Sequence, residues 1–231
     1  MAGASTAAAV VAELEQERTE ADLAKVQARL AEGEAAFGVR MGTLFAIAKT
    51  NTGLPLAEVQ RLLAHPAYEP RLAAFCILDF KARRKRIGAH ERGTLARTYL
   101  GHHHAITSWD MVDRAAPRVI GLWLAGKDKQ LLHDLAGSAD PLRRRTAMTA
   151  PLGLLDTTDV EAGYEIAETL HADRDPLVHK PVGIFLKHAG DRDRDRLVTF
   201  LEQHAGAMPR PAVRLAVEKL PSDLRSRWVG R

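Results

Sequence analysis

Apolar residues recur every three to four positions along almost the whole chain, and no stretch alternates convincingly in twos. That spacing gives helices a buried stripe and leaves a sheet without an inward face, so the chain reads as all-α. Gly and Pro cut the pattern into segments at roughly 7–32, 39–51, 55–65, 69–87, 91–102, 108–125, 128–137, 141–155, 160–171, 175–189, 192–205 and 209–220. Several starts are explicit: Pro55 with Glu58 in the next turn, Asp140 before Pro141, and Pro209 after Met208. Each puts proline where its missing N–H costs nothing.

A dozen modest helices on short loops exceed a four-helix bundle. They can stack as antiparallel pairs into an α-solenoid of HEAT-like character. Self-similarity at a fixed period is weak, which keeps a globular helical bundle as the alternative. A solenoid has a concave face, and such a face fits a duplex held by its phosphates without reading of bases. With 46% hydrophobic residues in 231, disorder is excluded and one compact domain over 1–231 is expected, with 1–35 as an N-terminal helical cap.

Charge is uneven. Residues 1–35 lean acidic, whereas basic residues outnumber acidic ones by about two to one between 36 and 145. The middle is therefore the expected anion-binding part. Its densest cluster is Lys81, Arg83, Arg84, Lys85 and Arg86, which on a helix must present positive charge to solvent or phosphate. Cys76, the only cysteine, lies in an apolar run, so no internal disulfide can form and a core position is expected. No apolar run is long enough to span a membrane and no signal peptide opens the chain, so a cytoplasmic, nucleoid-associated address follows.

The chemistry-bearing stretch is Ser108-Trp-Asp-Met-Val-Asp113. Four residues apart on a helix, Trp109 and Asp113 share one face, joining an indole to a carboxylate. That pair suits a substrate that is part flat ring and part developing cation, such as a positively charged nucleobase on its sugar. Taken singly, each residue also fits a plain structural role. Asp110 and Arg114 share helical spacing and can pair on the surface, which leaves Asp113 without an obvious sequence-local partner. Downstream, Arg143-Arg144-Arg145 before Thr146-Ala147 offers guanidinium forks for phosphate. Lys187 and Arg210 are further, weaker candidates for DNA contact. Consecutive His102, His103 and His104 point in different directions with no companion ligand nearby, so no metal is expected. Thr107 and Ser108 read as helix caps, and Trp123 as core.

These segments resemble the AlkD-like DNA alkylation-repair glycosylases. The matching runs are Phe37-Gly-Val-Arg-Met-Gly-Thr-Leu-Phe-Ala-Ile-Ala-Lys49, Asp79-Phe-Lys-Ala-Arg83, Trp109-Asp-Met-Val-Asp-Arg-Ala-Ala-Pro117, Arg144-Arg-Thr-Ala147, Lys180-Pro-Val-Gly183 and His204-Ala-Gly-Ala-Met-Pro-Arg210. The resemblance implies a HEAT-like solenoid that releases cationic N3- or N7-alkylated purines from duplex DNA as a monomer, with no metal and no organic cofactor. It implies that Trp109 and Asp113 line the lesion's deoxyribose, that Arg145 grips a nearby phosphate, and that the lesion stays stacked rather than being extruded. His103 coincides with a family histidine near the cleft. Two positions depart from the pattern. Ile184 stands where a second cleft Trp is usual, and Leu142 where a Trp precedes the paired Arg. Ile184 in place of an indole leaves two outcomes open: activity on methylated bases falls, or bulky adducts fit better, the specialisation expected of self-resistance. The alternatives are a non-catalytic binder of damaged or branched DNA on the same scaffold, and a protein-binding helical scaffold.

Overall fold

The computed structural model describes residues 6–229, and these form helices and loops with no strand among them. They fall into two compact units, divided between Trp123 and Leu124. The first holds α1 (Ala7–Gln16), α2 (Glu20–Gln27), α3 (Met41–Thr50), α4 (Leu56–Leu63), α5 (Tyr68–Ala82), α6 (Ala89–Gly101) and α7 (Trp109–Ala116). A π turn, Pro117–Gly121, and the short α8 (Leu122–Leu124) follow. The second holds α9 (Gln130–Ala136), α10 (Pro141–Thr149), α11 (Val160–Leu170), α12 (Pro176–Gly190), α13 (Arg194–His204), α14 (Arg210–Ala216) and α15 (Ser222–Val229). No helix among the described residues is long and apolar enough to cross a membrane.

Each unit is built on a series of helices that pack each against the next. In the first unit α5 is the hub, touching α3, α4, α6 and α7. Its run Ala73-Ala-Phe-Cys-Ile-Leu78 is fully buried, because a helix apolar all round can only sit inside. Burial pushes the Cys76 thiol up to about 12, which fits the expected core role. In the second unit α12 is the hub, packed against α10, α11, α13 and α14. The two series, α3–α5–α7 and α10–α12–α14, show the layered contacts of stacked helical repeats.

The expected proline starts appear at α4, α10 and α14, and Asp140 caps α10 by accepting from the Leu142 N–H at 2.8 Å. The expected first helix, 7–32, is two helices. Thr19 caps α2 by accepting from the Asp22 N–H at 3.1 Å, a Thr-x-x-Asp signal hidden inside an otherwise helical pattern. The chain then turns at Gly38, whose φ of +87° is a left-handed conformation, and a Cβ there would lie 2.6 Å from the Leu23 nitrogen. A further helix, α15, follows the last one expected. It buries none of its residues, so apolar spacing could not announce it.

Close approach also fixes Gly183 in α12. A Cβ at this position would lie 2.5 Å from the Ala212 carbonyl oxygen and 2.7 Å from the Leu215 Cβ, so α14 leaves no room for one. Gly183→Ala should therefore push α14 outward and lower unfolding free energy by about 1–3 kcal/mol. A urea titration of both proteins measures this, and an unchanged midpoint would disprove the close-packing account.

Candidate functional site

Trp109 and Asp113 open α7, the last helix of the first unit's series. Ser108 sits at the cap position with extended backbone, as expected, but its hydroxyl does not cap a backbone N–H. It donates instead to Asp110, which also accepts from the Tyr68 hydroxyl and lies 3.8 Å from the Arg29 guanidinium. Burial and the Asp110 carboxylate push the Tyr68 hydroxyl far up, so it remains a donor. The expected surface pair of Asp110 with Arg114 does not form. Asp110 is buried and turned toward α5, while Arg114 packs between the Phe45 and Phe80 rings at 4.5 and 4.7 Å and meets Asp79 at 3.2 Å. Tertiary partners outcompete a helix-surface pair worth only a few tenths of a kcal/mol.

With Asp110 anchored inward, Trp109 is turned the other way. It is 44% exposed, the only exposed tryptophan among the described residues, and Asp113 stands half-buried one turn on. Pro117 follows Asp113 by four, so the backbone carbonyl of Asp113 receives no helical N–H from it. The helix widens there into a π turn, and the Leu122 N–H reaches back five residues to the Pro117 carbonyl. His103 is buried edge-on against the Tyr99 ring, 5.8 Å between centroids, in the turn that leads into α7. Trp123 is half-buried rather than fully in the core, with its indole nitrogen beside Gly93.

Behind this face the segment before α3 is tied to α5. Glu69, fully buried, accepts from the N–H groups of Phe37, Gly38 and Val39 at 2.8, 2.8 and 3.3 Å. Arg71 and Thr107 both donate to Glu34, linking the same segment to the loop before α7. A cavity of about 510 Å³ opens between α2 and the start of α3, lined by Lys25, Arg29, Arg40 and Met41 among others. Sequence inspection singled out neither Glu69 nor Tyr68. The only local signal is an acidic residue in the first turn of a helix just before Pro70.

The remaining candidates lie on the second unit's series. On α10, Arg144 is drawn into the protein, with Nε and Nη2 donating to Asp173 at 2.7 and 3.2 Å and Nη1 donating to the Ser138 and Ala139 carbonyls. Burial works to raise the Asp173 carboxyl, but hydrogen bonds from Arg144 and the Asp175 N–H outweigh it and hold the group below its ordinary 3.8. A carboxyl lowered in the folded state stabilises the fold fully above its unfolded value and loses that contribution as pH falls through the folded one. Asp173→Asn should thus be less stable than the parent at pH 7, with the gap closing below pH 3.8. Chemical denaturation at a series of pH values tests it, and a gap that persists in acid would refute the assignment.

Arg145 is nearly buried and donates from Nη1 to the Leu177 carbonyl. That carbonyl needs a donor because Pro181, four residues on, has no N–H to give it. Arg145 thereby ties α10 to the first turn of α12, just before the Lys180-Pro-Val-Gly183 motif. Ile184 follows on α12, half-buried, and Lys187 lies 3.4 Å from Glu218. Arg210, at the start of α14, donates to the Trp228 and Val229 carbonyls and closes the end of α15. Sequence reasoning had no means of seeing these internal uses, since each partner is 18 or more positions away. The basic cluster is likewise only partly displayed. Lys81 is buried, with its ammonium pushed down by burial, while Arg83, Arg84, Lys85 and Arg86 are exposed, Arg83 paired with Asp79 and Arg84 with Glu91. Among the described residues no group of three or more His, Cys, Asp or Glu is placed to hold a metal ion.

Among curated proteins, none matches this chain. Among solved structures, a predicted DNA alkylation repair enzyme from Enterococcus faecalis is similar in fold. It superposes with a TM-score of 0.66 at 15% identity, covering 89% of this chain and 98% of that one. A family model described as DNA alkylation repair enzyme matches residues 10–220. The match takes in α7 with its exposed indole and both helical series, so this chain belongs to the DNA alkylation repair enzyme family, and its place is in the repair of alkylated DNA.

Proposed function

We propose that the protein is a DNA glycosylase that hydrolyses the N-glycosidic bond of cationic N3- or N7-alkylated purines in duplex DNA, leaving an abasic site. The observation that carries this reading is the 44% exposed Trp109, one helical turn before the half-buried Asp113. An indole so exposed forfeits burial worth about 1.5–3 kcal/mol for a large apolar side chain, which is explicable when its π face has a ligand to meet.

The chemistry asks little of the protein. Alkylation of a ring nitrogen makes the purine a cation and a good leaving group. The C1′–N bond breaks with its electron pair going to the base, which departs neutral, and positive charge passes to the sugar. Asp113 stabilises that oxocarbenium-like transition state more than the ground state, because the charge it faces develops only as the bond breaks. Water then bonds to C1′, and its proton passes to the Asp113 carboxylate or to solvent. Trp109 adds its π face, worth about 0.5–2 kcal/mol. Arg145 is proposed to hold a phosphate in addition to its bond to Leu177, with Lys187 and Arg210 as outlying contacts and Arg144 in support behind Asp173.

Ile184 gives this reading its specificity. The resemblance puts a second indole at this position, and on that ground bulky N3-adenine adducts are proposed as preferred substrates of a chain that carries isoleucine there. The test is to incubate the protein with duplex carrying 7-methylguanine or a bulky N3-adenine adduct and to measure released base by chromatography. Release of both, faster for the bulky adduct, is expected. Binding to duplex without release would favour a non-catalytic binder of damaged DNA, the reading that the Ile184 departure also supports.

A further inference from the structure

Asp79 in α5 is fully buried, and three guanidiniums gather around it: Arg83 at 2.7 Å, Arg114 at 3.2 Å and Arg118 at 3.7 Å. Three positive charges against one negative leave the cluster with an excess of two. No other carboxylate contacts these arginines among the described residues. The contacts to Asp79 are also poorly aligned. Neither of its oxygens, nor the Arg114 Nε, makes a hydrogen bond of good geometry. Asp79 therefore holds the guanidiniums by charge while leaving their N–H forks unsaturated.

The three arginines are not equivalent. Arg114 is sandwiched between Phe45 and Phe80 and is mostly covered. Arg83 and Arg118 remain 38% and 40% exposed, and Arg83 also lies over the Phe80 ring at 5.5 Å. Burial, together with the like charges of Arg83 and Arg114, lowers Arg118's hold on its proton, as expected for crowding with too few counter-charges. Two exposed guanidiniums, ordered from behind by a buried carboxylate and an aromatic ring, form a fork suited to the oxygens of a phosphate.

We propose that Arg83 and Arg118 form a phosphate-binding site, filled in use by a backbone phosphodiester of the duplex. This rests on the reading of α7 as the lesion-facing helix. Arg118 lies five residues beyond Asp113, about 7.5 Å further along the helix and turned toward Asp79 of α5. The site would hold the duplex by its backbone and carry no sequence information.

Two measurements test the site. First, undamaged duplex is titrated into the full chain between about 50 and 200 mM salt, comparing the parent with R118Q, R83Q/R118Q, R118K and K85Q. The slope of log affinity against log salt should fall by about one for R118Q and R83Q/R118Q, remain near parental for R118K, which keeps the charge, and change less for K85Q. Second, inorganic pyrophosphate at constant ionic strength should raise the melting temperature of the parent and of K85Q, and not that of R83Q/R118Q. Because R118Q removes only the most distant contact of Asp79, its fold is expected to survive, and its melting curve shows whether it does. If the double variant keeps both the slope and the pyrophosphate shift, or if K85Q lowers both as much, the site is overturned. A parent that binds pyrophosphate through these arginines and ignores duplex would uphold the site and remove the repair reading instead.

Discussion

Asp113→Asn is expected to lower the rate of alkylated-base release by about 10²–10³-fold, the usual loss when a group aimed at developing transition-state charge is removed. The substitution keeps the shape, removes the negative charge and turns one acceptor oxygen into an NH2 donor, so the loss reports electrostatics and hydrogen bonding rather than packing. Binding to undamaged duplex should be unchanged or slightly tighter, since one repulsive charge has gone. Trp109→Ala should cost less, about 2–30-fold, in line with 0.5–2 kcal/mol for a cation over an indole face. Single-turnover release of 7-methylguanine separates these effects from product dissociation. An Asp113→Asn protein that is folded and keeps more than a tenth of parental activity would take the carboxylate out of the chemistry.

Glu69→Ala should be among the most destabilising substitutions in the first unit. The carboxylate is fully buried and accepts from three consecutive backbone N–H groups, those of Phe37, Gly38 and Val39. Truncation strands all three donors, each costing about 1–3 kcal/mol when left unsatisfied, and relaxation of the segment recovers part of it. A net loss of about 3–5 kcal/mol is expected from equilibrium denaturation, a large share of the 5–15 kcal/mol typical of a whole domain. Because Gly38 already holds a left-handed conformation against α2, loosening this anchor should also free α2 and expose the Arg29 side of Asp110. Accelerated amide exchange over 20–40 would accompany the loss. Native-like stability would show that the three amides find other acceptors.

How much of this was legible beforehand follows the range of each interaction. The helix starts at Pro55, Asp140 and Pro209 were readable because a cap is set by residues one to three positions apart. That Trp109 and Asp113 stand one turn apart on a helix was readable for the same reason, since the spacing is local. Arg144 illustrates the opposite case: in a basic triplet it looked like a phosphate ligand, and its actual partner, Asp173, lies 29 positions away. Asp110 likewise had a suitable neighbour in Arg114 and took Tyr68, 42 positions away, instead.

The sequence by itself determined the all-helical fold, the burial of Cys76 and the family, because periodicity and short motifs are local properties of the chain. Only the tertiary structure decided which charges are displayed. A guanidinium or carboxylate on a helix has several partners within reach, and the choice among them is made by burial, where an unsatisfied charge costs more than any surface pair returns. That selection turned Arg144 and Arg145 toward the protein, left Trp109 facing solvent, and gathered Arg83, Arg114 and Arg118 around a single buried Asp79.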